Sequence, residues 1–160
     1  MTQGSTPQLR DALMLTPQQG VIGGASDWQD LKRVEAFLRT QEMGEDEPLC
    51  LHESTMPLYL ELDRIPPVRY LFFAQAAGVY RAHREQMVAE LSASRPRYAV
   101  SDLAISGWRP SDDQVDSEAR LPPHFPTPLA EAFPWSEPMV FRSGRYAVHR
   151  VSKPIRKLWP

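Results

Sequence analysis

The sequence predicts an α/β fold, a three-layer sandwich with a small, mainly parallel sheet and a C-terminal β-hairpin at the sheet edge. Three apolar runs, at residues 48–53, 68–73 and 97–102, have the length of buried strands. Helical patterns separate these runs. Strands that alternate with helices usually pair in parallel, because the crossover helix returns the chain to the same edge of the sheet.

The C-terminal part predicts the hairpin. Apolar runs at residues 139–142 and 145–149 flank Ser143 and Gly144, and a short turn that contains glycine favours antiparallel pairing of its two strands. Residues 97–102 are predicted to form the central strand. A central parallel strand is covered on both faces, so we expect Ala99 and Val100 to be buried. Leu71 and Phe72 are expected to flank them from the second strand, and Phe37 and Leu91 to pack on the sheet from the helices.

Three segments carry helical signals. Ser26 and Gln29 have the spacing of a capping box, and an apolar stripe at helical spacing then runs to about Gln41. A short helix is predicted from Met56 to Leu62, and the prolines that follow end it. A third, amphipathic helix is predicted over residues 83–91. The stripe of the first helix consists of Trp28, Leu31, Val34, Phe37 and Leu38.

The chain is predicted to hold one folded domain. Its 160 residues suffice to bury a sizeable core. Residues 1–25 are polar and are expected to form a flexible arm, and residues 26–151 the α/β domain. Within it, residues 109–138 are expected to form a proline-rich surface excursion whose first part, Arg109 to Arg120, is mobile. Residues 152–160 form a basic tail.

Composition restricts the partners. The formal net charge of −2 gives no electrostatic reason to expect a nucleic acid or an anionic membrane surface. A single cysteine, Cys50, allows no intrachain disulfide. No run approaches the roughly 20 apolar residues that span a bilayer, and the first residues lack the pattern of a secretory signal. The chain as written is expected to be soluble and to contain no membrane anchor.

Candidate ligand-binding residues lie where the predicted strands end. In open α/β sheets, ligands bind beyond the carboxyl ends of the strands. His52 and Glu53 follow the first strand, Asp102 ends the last one, and Trp108 comes soon after. The carboxylates could accept sugar hydroxyls and the indole could stack on a sugar face. Alternatively, the two acidic residues cap helices or bind loop amides, as acidic residues at strand ends often do.

No catalytic or cofactor motif is evident in the sequence. A triad of Ser101, Asp102 and either His52 or His149 is conceivable, but neighbouring strand residues point to opposite faces of a sheet. The four histidines show no spacing of metal ligands, so no metal or other cofactor is expected. We expect His149 to be a partly exposed strand residue. Arg142, Arg145 and Arg150 cluster at the hairpin and could bind a phosphate, but we expect them to lie on a solvated edge strand, where charge protects against aggregation.

Five segments together resemble a known family. They are the stripe from Trp28 to Leu38 and residues 49–59, 67–71, 94–103 and 140–149. These segments are similar to the soluble C-terminal domain that follows the last membrane helix in some bacterial GT-C-type glycosyltransferases, multi-pass proteins that use polyprenyl-linked sugar donors. The resemblance spans about residues 27–151, but the whole membrane part is missing here.

The resemblance implies an accessory domain on the extracytoplasmic, periplasmic side of a membrane. Because the catalytic acidic residues of such families lie in loops of the membrane part, none can be placed on this chain. The implied role is to support acceptor binding or assembly, with a membrane-embedded domain or protein, a carbohydrate or a lipid-linked sugar as partner. The alternative is a free-standing α/β module that binds a small ligand, such as a sugar, at the carboxyl edge of the sheet.

Overall fold

The computed structural model of the protein describes residues 27–108, 120–152, 154, 155 and 158. The predicted arm at residues 1–25, residues 109–119 of the predicted excursion, and most of the predicted tail lie outside this part. The described helices and strands follow each other in the order α1 (Trp28–Arg39), β1 (Cys50–Leu51), α2 (Leu58–Leu62), α3 (Phe73–Val79), α4 (Arg84–Ser94), β2 (Tyr98–Asp102), α5 (Thr127–Ala130), β3 (Met139–Ser143) and β4 (Tyr146–Arg150).

The described strands form one mixed sheet in the order β1-β2-β4-β3. β1 and β2 are parallel, with Leu51 opposite Val100. β4 is antiparallel to both β2 and β3, with Val148 opposite Val100. The α/β class and the hairpin are therefore confirmed, but the prediction of a mainly parallel sheet is wrong. The hairpin inserts β4 beside β2, so that only β3 forms the edge on that side of the sheet.

Helix α1 begins one residue later than the capping box predicts. The Asp27 side chain accepts hydrogen bonds from the backbone N–H groups of Gln29 and Asp30, at 3.1 and 3.2 Å, which satisfies two donors of the first turn. Ser26 lies outside the described residues. Three residues of the predicted stripe, Leu31, Val34 and Leu38, are fully buried against the sheet.

Apolar side chains cover both faces of the sheet. On one face, here called the α1 face, α1 and α2 pack against a row that includes Val100 and Val148. On the other, here called the α4 face, Leu91 of α4 packs against Ala99. The burial of Ala99 and Val100 and the packing of Phe37 and Leu91 are therefore as predicted.

The predicted second strand does not form. Residues 68–72 are bends and turns, and Phe73 begins α3. Val68 is buried, but Leu71 and Phe72 are about half exposed, so they do not flank β2. An apolar run of this length has no periodicity that separates a strand from the start of a helix.

The hairpin turn requires a glycine. Gly144 has a φ of +52°, and a Cβ at this position would collide with the carboxylate of Asp30 in α1. The hydroxyl of Ser143 donates a hydrogen bond of 2.6 Å to Oδ1 of the same carboxylate. The turn is therefore fixed against the N-terminal part of α1, and this contact sets the position of Arg145, the next residue.

Candidate functional site

The carboxyl ends of β1 and β2 lie side by side, as predicted. The N–H group of His52 donates to the carbonyl of Val100 at 3.0 Å, which places His52 beside Ser101. Alternation along β2 puts Ser101 on the α4 face and Asp102 on the α1 face. The predicted site residues His52 and Asp102 therefore share one edge of the sheet but lie on opposite faces.

Asp102 is fully buried and its carboxylate is surrounded by hydrogen-bond donors. Oδ1 accepts from Nε of Arg145 at 2.6 Å and from the N–H group of Ala104 at 3.0 Å. Oδ2 accepts from Nη2 of Arg145 and from the hydroxyl of Ser54. A carboxylate offers about four acceptor positions, and four donors occupy them here. The interpretation of Asp102 as a cap of loop amides is therefore correct in part, since Ala104 belongs to the 3₁₀ turn that follows β2.

Arg145 completes this charged arrangement. Its two contacts with Asp102 form a bidentate pair, the geometry in which a guanidinium binds a carboxylate most strongly. Burial lowers the pKa of Arg145, but the hydrogen bonds to Asp102 and the charge of that carboxylate raise it, and the pKa remains above its usual value. Arg145 is 19% exposed, whereas Asp102 is inaccessible, so the carboxylate depends on Arg145 for compensation of its charge.

Tyr146 links this network to α1. Its ring is fully buried, and its hydroxyl accepts a hydrogen bond of 2.8 Å from the N–H group of Asp27. Burial raises the pKa of Tyr146. Together, Ser54, Asp102, Arg145 and Tyr146 join the 3₁₀ turn after β1, the end of β2, the hairpin and the start of α1.

On the α4 face, Ser101 and His149 form a neutral hydrogen-bonded pair. The hydroxyl of Ser101 lies 2.8 Å from Nε2 of His149, and Nδ1 of His149 lies 3.1 Å from the carbonyl oxygen of Glu137. A carbonyl can only accept, so Nδ1 carries the proton and Nε2 accepts from the Ser101 hydroxyl. The rings of His149 and Trp135 are nearly perpendicular, with 5.8 Å between their centroids.

Both histidines on this face resist protonation. Burial lowers the pKa of His149 to about 4. Burial, and to a smaller degree the proximity of His149, lowers the pKa of His52 to about 3. The expectation that His149 is partly exposed is wrong. β4 lies between β2 and β3, and the side chain of His149 is completely buried.

The Ser101–His149 pair has the contact that a serine nucleophile makes with its base, but not the surroundings that catalysis needs. Both side chains are fully buried, so that a substrate has no path to the hydroxyl. The second ring nitrogen of His149 binds a backbone carbonyl instead of a carboxylate. Asp102 lies on the other face, as the alternation along β2 predicts. The pair therefore acts as a hydrogen-bonded part of the core.

Of the other two predicted site residues, Trp108 lies on the opposite face of the sheet from Asp102, and Glu53 directly precedes Ser54 in the chain. Trp108 is buried on the α4 face, and the guanidinium of Arg142 covers its ring at 4.6 Å from the centroid. A sugar could stack on this ring only if Arg142 moved away. Glu53 begins the 3₁₀ turn Glu53–Thr55, and its side chain lies outside the described part of the chain. Ligand binding by these residues remains a prediction.

Sequence reasoning missed the residues that make these two clusters. Ser54 and Arg145 were not recognised as partners of Asp102, and Arg145 was placed on a solvated edge. The available signal was the position of Arg145 directly after the glycine of the hairpin turn. If β4 is placed beside β2, this turn meets the end of β2, where Asp102 lies.

A cavity of about 630 Å³ lies at the opposite end of the sheet, between the end of α4 and the segment after β4. Arg97, whose Nε lies 3.0 Å from Oε1 of Glu47, lines this cavity.

Within the described ranges, no group of three His, Cys, Asp or Glu side chains is arranged to hold a metal ion. None of the helices in the described part combines the length and apolarity of a membrane-crossing segment. Searches of protein families, curated proteins and solved structures find no match to this chain.

Proposed function

We propose that this domain is an accessory, extracytoplasmic part of a membrane glycosyltransferase-like protein. It supports acceptor binding or assembly and does not transfer sugar by itself. In this proposal it is a three-layer α/β domain that works with a membrane-embedded domain or protein, which supplies the catalytic residues and binds the lipid-linked sugar. The domain supplies a folded surface beside that machinery.

One observation supports this role most directly. Ser54, Asp102 and Arg145 come from three different segments that carry the resemblance, residues 49–59, 94–103 and 140–149, and they bind one another. Ser101 and His149, from two of these segments, form the second polar contact. Polar residues that hold strands and turns together fit a supporting domain, because here they stabilise the fold.

The alternative is a free-standing module that binds a small ligand, such as a sugar, at His52, Glu53, Asp102 and Trp108. For a sugar hydroxyl to bind Asp102, it would have to replace one of the four donors on that carboxylate. The loss of a charge-assisted bond from Arg145 opposes this exchange. The accessory role is therefore favoured over ligand binding at this edge.

The coding region provides the first test. We expect apolar spans of about 20 residues to be encoded in frame with this domain or in an adjacent gene. If neither location encodes such spans, the accessory role is contradicted.

The second test is enzymatic. We expect the purified 160-residue chain to turn over neither a polyprenyl-linked sugar donor nor an ester, and the membrane protein that carries the domain to transfer sugar from such a donor. Turnover by the purified chain that is lost in Asp102→Asn or Glu53→Gln would overturn the proposal. Saturable sugar binding by the chain that is lost in the same variants, without turnover, would instead establish the alternative.

A further inference from the structure

Large apolar side chains are exposed at both ends of α3. Leu71 and Phe72 precede the helix and are 48% and 52% exposed, and Val79 and Tyr80 end it and are 73% and 56% exposed. Isolated exposed apolar residues are common, but clusters of them mark sites of interaction. These four residues are here called the α3 patch.

The helix geometry puts the two ends of the α3 patch on one side. The carbonyl of Phe72 accepts the first helical hydrogen bond, from the N–H group of Ala76 at 2.8 Å. Val79 follows Phe72 by seven residues, which is about two turns, so the two residues lie on the same side of the helix about 10 Å apart. Ala77 is fully buried in the core of the α4 face and fixes the opposite side of the helix.

The charge around the α3 patch differs from that of the whole chain. From Arg64 to Arg84 there are four arginines and no aspartate or glutamate, although the net charge of the protein is −2. Arg81 is exposed directly after Tyr80, and His83 is exposed two residues later. Arg69 is 57% exposed, but it pairs with Glu90 of α4. The segment around α3 is therefore cationic and apolar, although the chain as a whole has a net charge of −2.

We propose that the α3 patch docks on the surface of an anionic phospholipid bilayer. Aromatic and aliphatic side chains that enter the interface, with arginine beside them at the headgroups, are the chemistry of an interfacial membrane contact. The positive charge of this segment complements an anionic lipid surface. An apolar protein groove would need no such charge, so the lipid surface is favoured. A bilayer contact suits a domain that works beside a membrane, so this assignment rests on the proposed function.

The test is cosedimentation of the full chain with two kinds of vesicle, one of phosphatidylglycerol and phosphatidylcholine and one of phosphatidylcholine alone. We expect binding to the anionic vesicles that weakens at high salt. Arg81→Glu should lower the affinity about thirtyfold, since it reverses a charge near the surface and each unit of charge there contributes roughly 1 kcal/mol. The double variant Phe72→Ser/Val79→Ser should lower it by about tenfold or more through loss of apolar burial.

Leu60→Ser is the matched control. Leu60 is 72% exposed, close to the 73% of Val79. It belongs to α2, which packs on the other face of the sheet. Its replacement should leave the affinity within about twofold of the parent. Thermal unfolding of each variant shows that the fold is kept.

Two results would overturn the proposal. One is no binding of the parent to anionic vesicles. The other is binding that Arg81→Glu and the double variant leave unchanged, or that Leu60→Ser lowers equally. If the chain ignores vesicles but binds a purified membrane protein through the α3 patch, the occupant is that protein and the lipid assignment is wrong. The accessory role is tested separately, by the gene context and the transfer assay, and survives that result.

Discussion

At the carboxyl edge of the sheet, polar residues on the two faces have different kinds of partner. Ser101 and Asp102 are neighbours on β2, yet Asp102 joins a charged network on the α1 face and Ser101 a neutral pair on the α4 face. The charged side compensates its buried carboxylate with a bidentate guanidinium, whereas the neutral side keeps its histidines unprotonated through burial. Polar residues at the carboxyl ends of strands are thus explained here by two kinds of structural contact.

The largest expected effect is a loss of stability in acid, which arises on the neutral face. Folding lowers the pKa of His52 to about 3 and that of His149 to about 4. Below about pH 6.5 the unfolded chain binds protons that the folded chain does not, so stability falls as the pH falls. Between pH 7 and pH 4 the two residues should lower the free energy of unfolding by on the order of 5 kcal/mol.

The measurement is a series of urea unfolding curves between pH 7 and pH 4. His149→Gln should flatten the dependence above pH 5, where few carboxylates titrate. His83→Gln is the matched control, because His83 is exposed, and it should leave the slope unchanged. A parent protein whose stability is constant from pH 7 to pH 5 would contradict the account of buried, neutral histidines.

The next effect tests the charged face. Arg145→Ala leaves Asp102 buried with its charge uncompensated, and removal of one partner of such a pair typically costs about 3–5 kcal/mol. Arg145→Lys keeps the charge but loses the bidentate geometry, so its free energy of unfolding should lie between those of the parent and the alanine variant. Chemical denaturation at pH 7 measures both. Equal stability of all three proteins would show that the pair does not stabilise the fold.

Local signals predicted much of this fold, and long-range pairing accounts for what they missed. The stripe of α1, the strand at Ala99 and Val100, and the hairpin around Gly144 follow from periodicity and turn chemistry. The sequence has no local signal that β4 pairs with β2, and without that pairing neither the burial of His149 nor the contact of Arg145 with Asp102 follows, although the position of Arg145 after the turn glycine is visible. The run at Leu71 and Phe72 was misassigned because short apolar runs occur in strands and at helix starts alike.

A smaller effect is expected from the neutral pair itself. His149→Ala should remove a buried ring and leave the Ser101 hydroxyl and the Glu137 carbonyl without their partner, at a cost of about 2–3 kcal/mol. A partly exposed strand residue, as the sequence predicts for His149, would cost only about 0.5 kcal/mol. Ser101→Ala, which removes only one of the two contacts, should cost about 1 kcal/mol. Denaturation midpoints at pH 7 measure both variants. A larger loss of stability in Ser101→Ala than in His149→Ala would contradict this account of the pair.

The smallest effect compares the buried ion pair with an exposed one. In α1, Nη1 of Arg33 lies 3.4 Å from Oδ1 of Asp30, and the Arg33 side chain is 64% exposed. Water already solvates this guanidinium, so Arg33→Ala should change the free energy of unfolding by less than about 0.5 kcal/mol. Asp30 keeps its contact with the Ser143 hydroxyl in this variant. Denaturation at pH 7 beside Arg145→Ala gives the comparison. If the two alanine variants lose similar stability, burial is not what makes the Asp102–Arg145 pair important.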